Sequence, residues 1–248
     1  PKYGCRDPQL SPTDTSALAS PAQAKELQTI VGAILYYARA VDATMLPAVC
    51  ALASRQSNPT VATMEAADRL LGYAAAHPDN TLVIHASTML LRIHSDGSYL
   101  SRPRSGSVAG GLFHYLGDPD HTTLNAPVLC HSTLIPVVVA AVSEAEYAAV
   151  FSNAQIGVDE RNILDSIGYP QPPTPIYCDN ECAVGLSNGT VRPKKSKSMD
   201  MRFDWIKDCV TQGQFEVSFI PGKLNLSDFF TKALPVHEHI TLAPIYAT

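Results

Sequence analysis

Apolar residues recur at helical spacing in the first third of the chain. Between residues 22 and 39 they follow the period of an amphipathic helix, at positions Leu27, Ile30, Val31, Ile34, Leu35 and Ala38. Ser20 and Pro21 supply a cap and a proline at the first helical position. Further helices are predicted over about 43–55 and 61–76. The preceding stretch is rich in Pro, Ser and Thr, so residues 1–80 are expected to form a linker and a small helical subdomain.

After residue 80 the pattern changes to short apolar runs separated by turn residues, which predict strands. These runs cover 81–86, 89–94, 108–116, 126–134, 174–178 and 215–220. Helices are predicted over about 143–167, from 180, over 199–212 and over 227–234. The predicted elements begin with strands and continue with helices and strands in alternation. This order indicates an α/β domain over 81–236 with a mixed sheet flanked by helices. Residues 237–248, like the chain from Pro235 onward, are predicted to be a loosely held tail.

Composition narrows the possible functions. With 46% hydrophobic and 17% charged residues among 248, the chain can form a packed core. The formal net charge of −5 provides no overall positive field, so a polyanionic partner requires a local basic patch or metal ions. The six cysteines are scattered and contain no CxxC pair, which predicts reduced, mostly buried thiols. The longest apolar run, Leu134–Val142, is too short to span a bilayer. The first residue is not Met, so we expect a fragment or a processed product.

Four acidic residues stand where predicted elements begin or end, namely Asp96, Glu146, Asp179 and Asp228. Carboxylates that are scattered in sequence can converge at strand ends and on facing helices. Hydrolysis of a phosphodiester with two metal ions about 4 Å apart needs such convergence. Mg²⁺ suits this chemistry because it prefers oxygen ligands and retains waters and substrate phosphates.

Each of these acids also has an ordinary structural interpretation. Asp96 precedes a glycine and would lie in a turn, whereas Asp179 would cap the following helix. Glu146 would complete a capping box with Ser143. Asp228 would be an acid in the first turn of a helix. The residues alone leave these alternatives open.

The segments around the four acids resemble, in order and approximate spacing, the RNase H region of copia-type retrotransposon polyproteins. They are Asp96-Gly97-Ser98, Ser143-Glu144-Ala145-Glu146-Tyr147, Ile176-Tyr177-Cys178-Asp179-Asn180 and the segment 227–235. The segment 197–203 resembles the Lys-His-Ile-Asp-Ile-Arg element of that family, with Ser198 in place of the His. Upstream, residues 27–78 resemble the helical segment that joins the polymerase to RNase H. The resemblance covers about residues 22–235.

This resemblance implies an RNase H-like fold with a five-stranded mixed sheet. It implies a two-metal ribonuclease that cleaves the RNA strand of RNA·DNA hybrids, with two Mg²⁺ or Mn²⁺ ions as cofactors. Asp96, Glu146, Asp179 and Asp228 become the catalytic, metal-binding acids. Glu144 competes for the position of Glu146, which is preferred because it immediately precedes a tyrosine, as in the family pattern.

The resemblance also suggests partners. A basic set is expected to contact the phosphates of the hybrid, although a solvated loop is the alternative; it comprises Arg192, Lys194, Lys195, Lys197 and Arg202. Contacts to the 2′-hydroxyl would select RNA over DNA. The paired-Asp motif of the polymerase is absent, so this chain is not expected to synthesise DNA and a separate polymerase domain is the expected partner. No membrane partner is expected, and the expected location is intracellular, in the cytoplasm, a virus-like particle or the nucleus.

Two other functions remain open. A catalytically inactive or repurposed descendant would keep the fold as a binding or structural module, which the acidic net charge favours. The four intact acids favour the enzyme instead. An integrase-like or nuclease activity on DNA is disfavoured by the Glu146 helix following the first strands and by the Asp228 motif.

Overall fold

Helices precede the first strand, close to the predicted positions. The computed structural model describes residues 14–102, 105–115, 125–191, 200–232 and 234–246, and in 200–203 the backbone only. Its first helices are α1 (Pro21–Ala40), α2 (Leu46–Ala53) and α3 (Val61–Ala76), with a 3₁₀ turn at Ala43–Met45. A capping box begins α1: the Gln23 N–H donates to the Ser20 hydroxyl, and the Ser20 N–H donates to the Gln23 side chain.

The strands of the described residues form one mixed sheet in the order β3-β2-β1-β4-β5. They are β1 (Leu91–Arg102), β2 (Gly106–Tyr115), β3 (Pro127–Leu134), β4 (Thr174–Cys178) and β5 (Phe215–Phe219). β1, β2 and β3 pair antiparallel, whereas β4 pairs parallel with both β1 and β5. The remaining helices are α4 (Val142–Ser166), α5 (Glu181–Ser187), α6 (Asp200–Thr211) and α7 (Val236–Tyr246). The predicted α/β class with a five-stranded mixed sheet is confirmed.

Each face of the sheet packs against helices. On one face, α4 contributes Tyr147 and Ala148 to a core that also contains Ile93 and Phe113. On the other face, α1 to α3 share a second apolar cluster with Leu112 and with residues of the C-terminal segment. Apolar burial of this kind is the main stabilising term in folding. The predicted boundary near residue 80 is therefore crossed by continuous packing.

Some local predictions are wrong. Residues 81–86 pair with no strand within the described part of the chain. β1 continues through Asp96 and Gly97, which pair with Gly110 and Ala109 of β2, so no turn forms there. The helix predicted over 227–234 is a 3₁₀ turn at Leu226–Phe230. In the second case strand pairing, which depends on distant residues, overrides the local pattern.

The segment predicted to be a loosely held tail is also different from expectation. Residues 236–246 form α7, and Tyr246 at its end is 1% exposed. The Tyr246 hydroxyl donates a hydrogen bond of 2.7 Å to the carbonyl oxygen of Leu226. A buried aromatic ring with a satisfied hydroxyl anchors this helix on the second apolar cluster.

The cysteines of the described residues are free thiols, and Cys130, Cys178 and Cys209 are buried. This agrees with the expectation of mostly buried thiols. Among the helices that the structure describes, none combines the length and the hydropathy needed to cross a bilayer.

Candidate metal centre

Asp96 lies in the middle of β1 and its side chain is fully buried. Its Oδ2 accepts a hydrogen bond from the hydroxyl of Thr231. Its Oδ1 is buried and has no hydrogen-bond partner in the described part of the chain. A buried polar atom without a partner costs free energy unless a further group satisfies it.

Asp179 and Glu146 reach the same place from two other elements. β4 runs parallel to β1 with Cys178 opposite Ser95, so Asp179 emerges beside the strand that carries Asp96. Glu146 lies near the start of α4, and its Oε2 accepts a hydrogen bond of 2.9 Å from the backbone N–H of Gly97. Strand register and a helix–strand contact thus orient both carboxylates.

Asp228 is carried by the 3₁₀ turn Leu226–Phe230. Asn225 caps this turn by accepting from the N–H of Ser227, and its Nδ2 donates to the carbonyl oxygen of Ser95 at 3.0 Å. Lys232 places its Nζ 2.7 Å from Oδ1 of Asp228 and 3.7 Å from Oδ1 of Asp96. The turn therefore brings both an acid and a cation to β1.

The structure brings the four predicted acids together. Carboxylate oxygens of Asp96, Asp179 and Asp228 lie within 4.8 Å of one another, as do ligand atoms of Glu146, Cys178 and Asp179. Asp96 belongs to this cluster, and its buried Oδ1 has no hydrogen-bond partner among the described residues. Oxygen donors so placed fit a hard divalent cation such as Mg²⁺ or Mn²⁺.

The capping interpretations of Asp179 and Glu146 are wrong, whereas Asp228 does lie in the first turn of the 3₁₀ turn Leu226–Phe230, as its structural interpretation had it. Asn180, not Asp179, occupies the N-cap of α5 and accepts from the N–H of Ala183 at 3.0 Å. The capping box with Ser143 does not form, since Ala141 is the N-cap of α4. Glu144 instead accepts from the N–H of Ala140, so its carboxylate points away from Glu146.

Burial and mutual repulsion disfavour charge on the clustered acids. Burial raises the pKa of Asp96, and the nearby charge of Asp228 raises it further. Burial likewise raises the pKa of Glu146, with contributions from Asp96 and Asp179. The pKa of Asp179 is raised by burial and then by Asp228. A cation in the cluster would favour the ionised forms.

A second polar network supports β1 behind the acids. Asn153 of α4 donates to the hydroxyl of Ser95 at 2.8 Å and to the carbonyl oxygen of Gly110 at 2.9 Å. Its Oδ1 lies 2.6 Å from Nε2 of His131 on β3. These bonds join α4 to three adjacent strands, so the strand that carries Asp96 is held in place.

Most of the predicted basic contacts cannot be located. Arg192, Lys194, Lys195 and Lys197 lie outside the described residues, as does the side chain of Arg202.

Sequence reasoning did not single out Thr231, Lys232 or Gly222 as parts of the site. Thr231 and Lys232 follow Asp228 in the same motif, and the spacing of four residues between Asp228 and Lys232 was an available signal. Gly222 left no such signal. A Cβ at this position would lie 2.9 Å from Oδ2 of Asp179, a closeness that depends on the tertiary structure.

Comparisons with known proteins support the resemblance. No family model matches the chain. It is 24% identical over 206 residues, 83% of this chain, to the retrovirus-related Pol polyprotein from transposon TNT 1-94 of Nicotiana tabacum. It is 26% identical over 230 residues, 92% of this chain, to the corresponding polyprotein from transposon RE1 of Arabidopsis thaliana. The chain spans 15% of the length of each of these polyproteins.

Solved structures share the fold at low sequence identity. A foamy viral protease-reverse transcriptase in complex with an RNA/DNA hybrid matches 88% of this chain and 28% of its own, with a TM-score of 0.50 and 14% identity. The N-terminal RNase H domain of a Mycobacterium tuberculosis protein matches 63% of this chain and 96% of its own, with a TM-score of 0.41 and 14% identity. The homologues of this chain are thus retrovirus-related Pol polyproteins of plant transposons, and its mixed sheet with flanking helices has the RNase H fold.

Proposed function

We propose that this chain is the ribonuclease H module of a copia-type retrotransposon reverse transcriptase. It hydrolyses the RNA strand of RNA·DNA hybrids with divalent metal ions. The observation that carries this proposal is the convergence of the carboxylates of Asp96, Asp179 and Asp228. In addition, the buried Oδ1 of Asp96 has no hydrogen-bond partner in the part of the chain that the structure describes. The relatives are Pol polyproteins, and one structure with the same fold was solved with an RNA/DNA hybrid.

In this proposal each acid has a separate role. As the resemblance implies, Asp96 and Asp179 would hold both Mg²⁺ or Mn²⁺ ions. Glu146 would hold one ion on the side of the 2′-hydroxyl, and Asp228 would hold the other. Bound metal ions supply an activated water and stabilise the charge that develops on the phosphate. The Thr231 hydroxyl keeps Asp96 oriented, and the Gly97 N–H does the same for Glu146. Such preorganisation reduces the rearrangement needed during the reaction.

Binding of the polyanionic hybrid requires local positive charge, because the formal net charge of the chain is −5. We assign phosphate contacts to the basic set Arg192, Lys194, Lys195, Lys197 and Arg202. Selection of RNA follows from contacts to the 2′-hydroxyl. A polymerase domain elsewhere in the polyprotein supplies the remaining contacts to the hybrid. The reaction takes place in the cytoplasm or within a virus-like particle.

The test is cleavage of an end-labelled RNA·DNA hybrid in Mg²⁺ and in Mn²⁺, with a DNA duplex of the same sequence alongside. Asp179→Asn removes one carboxylate from the cluster, and Asp68→Asn on the exposed side of α3 is the matched control. We expect cleavage of the hybrid alone, abolished by Asp179→Asn and by chelation, and unchanged in Asp68→Asn. Cleavage of the DNA duplex would instead indicate a different nuclease.

A non-catalytic module is the second candidate. It is favoured by the ammonium group of Lys232, which already neutralises part of the acidic cluster. The two candidates differ in metal binding, which is measured as thermal stabilisation by Mn²⁺. A module without function at this site would show neither metal-dependent stabilisation nor cleavage.

A further inference from the structure

The ammonium group of Lys232 lies among the carboxylates that are proposed to hold metal. We propose that Lys232 is an internal counter-ion that competes with divalent metal for Asp96 and Asp228, and that it withdraws when metal binds. This inference rests on the proposed metal-dependent function, and it adds a residue that controls metal affinity.

The ammonium group lies next to carboxylate oxygens of two residues that are proposed to hold metal. Nζ of Lys232 lies 2.7 Å from Oδ1 of Asp228 and 3.7 Å from Oδ1 of Asp96. The second of these oxygens has no hydrogen-bond partner in the described residues, so the ammonium group attracts it without satisfying it. Two cations that share the same carboxylates repel each other, and this repulsion is strong where water is largely excluded.

Lys232 can leave the cluster while Asp96 keeps its hydrogen bond to Thr231. Its side chain is 48% exposed, and a lysine stem is long and flexible enough to move the ammonium group into solvent. The orientation of Asp96 does not depend on it, because the buried Thr231 holds the other carboxylate oxygen. Thr231 is therefore the fixed positioning residue of this pair, and Lys232 is the exchangeable one.

Two properties follow from such an exchange. In the metal-free protein the ammonium group offsets repulsion between Asp96 and Asp228, so its removal should lower thermal stability when a chelator is present. In the metal-bound protein the ammonium group opposes the ion, so its removal should tighten metal binding. A residue with a purely structural role would lower stability without tightening metal binding.

The experiment measures Mn²⁺ affinity of the whole chain by isothermal titration calorimetry at low ionic strength. Lys232→Gln removes the charge, Lys232→Arg keeps it, and Lys25→Gln on the exposed side of α1 removes a charge far from the cluster. Lys232→Met is a second neutral variant that keeps the packing of the stem. Circular dichroism checks that each variant is folded.

We expect Lys232→Gln and Lys232→Met to bind Mn²⁺ about tenfold more tightly than the wild type, given the strength of charge repulsion at a partly buried site. Lys232→Arg should bind no more tightly than the wild type, and Lys25→Gln should be unchanged. The difference should shrink at high salt because screening weakens the repulsion.

The outcomes separate this inference from the proposed function. Equal or weaker Mn²⁺ binding by both neutral variants, with wild-type binding that Asp179→Asn abolishes, overturns the role of Lys232 and leaves the metal centre standing. Absence of Mn²⁺ binding in the wild type and in both neutral variants overturns both proposals. Binding that appears only in the neutral variants supports the competition directly.

Discussion

The backbone N–H of Gly97 donates a hydrogen bond of 2.9 Å to Oε2 of Glu146. This bond joins the middle of β1 to the beginning of α4, two elements that carry neighbouring acids of the cluster. The close approach is possible because Gly97 has no side chain. A Cβ at this position would lie 2.4 Å from the carbonyl oxygen of Ala145.

Gly97→Ala should therefore be strongly destabilising. The added methyl group meets backbone atoms of α4, so strand and helix must separate, and we expect a loss of about 3 kcal/mol or more in the free energy of unfolding. Urea denaturation measures this change. Gly72→Ala is the control, because a Cβ there meets nothing within 4 Å and α3 should gain about 0.5–1 kcal/mol. Similar effects in the two variants would contradict the close contact.

Gly222→Ala should impair metal binding more than stability. A Cβ at Gly222 would lie 2.9 Å from Oδ2 of Asp179, so this carboxylate must rotate away. Only the end of a half-buried side chain moves, and we expect less than about 1 kcal/mol of change in unfolding free energy. Thermal stabilisation by Mn²⁺ should fall sharply. Gly32→Ala, with open space around its Cβ, should retain it; equal stabilisation in both variants would refute the prediction.

The raised pKa of Asp96 predicts how metal-free stability depends on pH. The folded state binds this proton more tightly than the unfolded state, where the ordinary value is 3.8. Stability therefore declines as pH rises from that value toward the raised pKa of the folded state. Asp96→Asn removes this contribution, so the variant should be more stable than the wild type by about 1–3 kcal/mol at about pH 8 with a chelator present.

Urea denaturation at about pH 5 and about pH 8 measures the free energy of unfolding of both proteins. The change in this free energy between the two pH values should differ between the wild type and Asp96→Asn. Asp96 also contributes to the raised pKa of Glu146, so Asp96→Asn removes the contribution of Asp96 itself together with part of that of Glu146. A pH dependence that is identical in the wild type and in Asp96→Asn would show that Asp96 is not the group responsible.

Tyr246 should stabilise the turn that carries Asp228. Its ring lies 4.5 Å from that of Phe229 between centroids, and its hydroxyl bonds to Leu226. Tyr246→Phe should cost about 1 kcal/mol through the lost hydrogen bond. Tyr246→Ala should cost about 3–5 kcal/mol through the cavity it leaves, and should weaken Mn²⁺ binding.

The control for this pair is Tyr36→Ala on α1, since Tyr36 is 78% exposed. We expect a change within about 0.5 kcal/mol for it, as for most surface substitutions. Thermal unfolding with and without Mn²⁺ measures both effects. If Tyr246→Ala were as mild as Tyr36→Ala, α7 would be dispensable for the site.

The elements that residues a few positions apart specify agree with their prediction from sequence. The bounds of α3 and β4 agree with the sequence pattern because apolar periodicity and punctuating residues act within a few positions. The acids at 96, 146, 179 and 228 were also identified from sequence, through the motifs that surround them. Their convergence within one cluster was an expectation from a resemblance and not a consequence of spacing.

Contacts between distant residues decided the rest. Local propensity predicts a turn at Asp96 and Gly97, but in the structure both residues lie in β1 and pair with β2. The strand is favoured because pairing also buries both faces of β1. The sequence by itself determined elements such as α1, α3 and β4 and the choice of the four acids. Only the tertiary structure decided that Lys232 lies among those acids and that Glu146 approaches the backbone of Gly97. Distances between residues far apart in the chain depend on packing that no local pattern encodes.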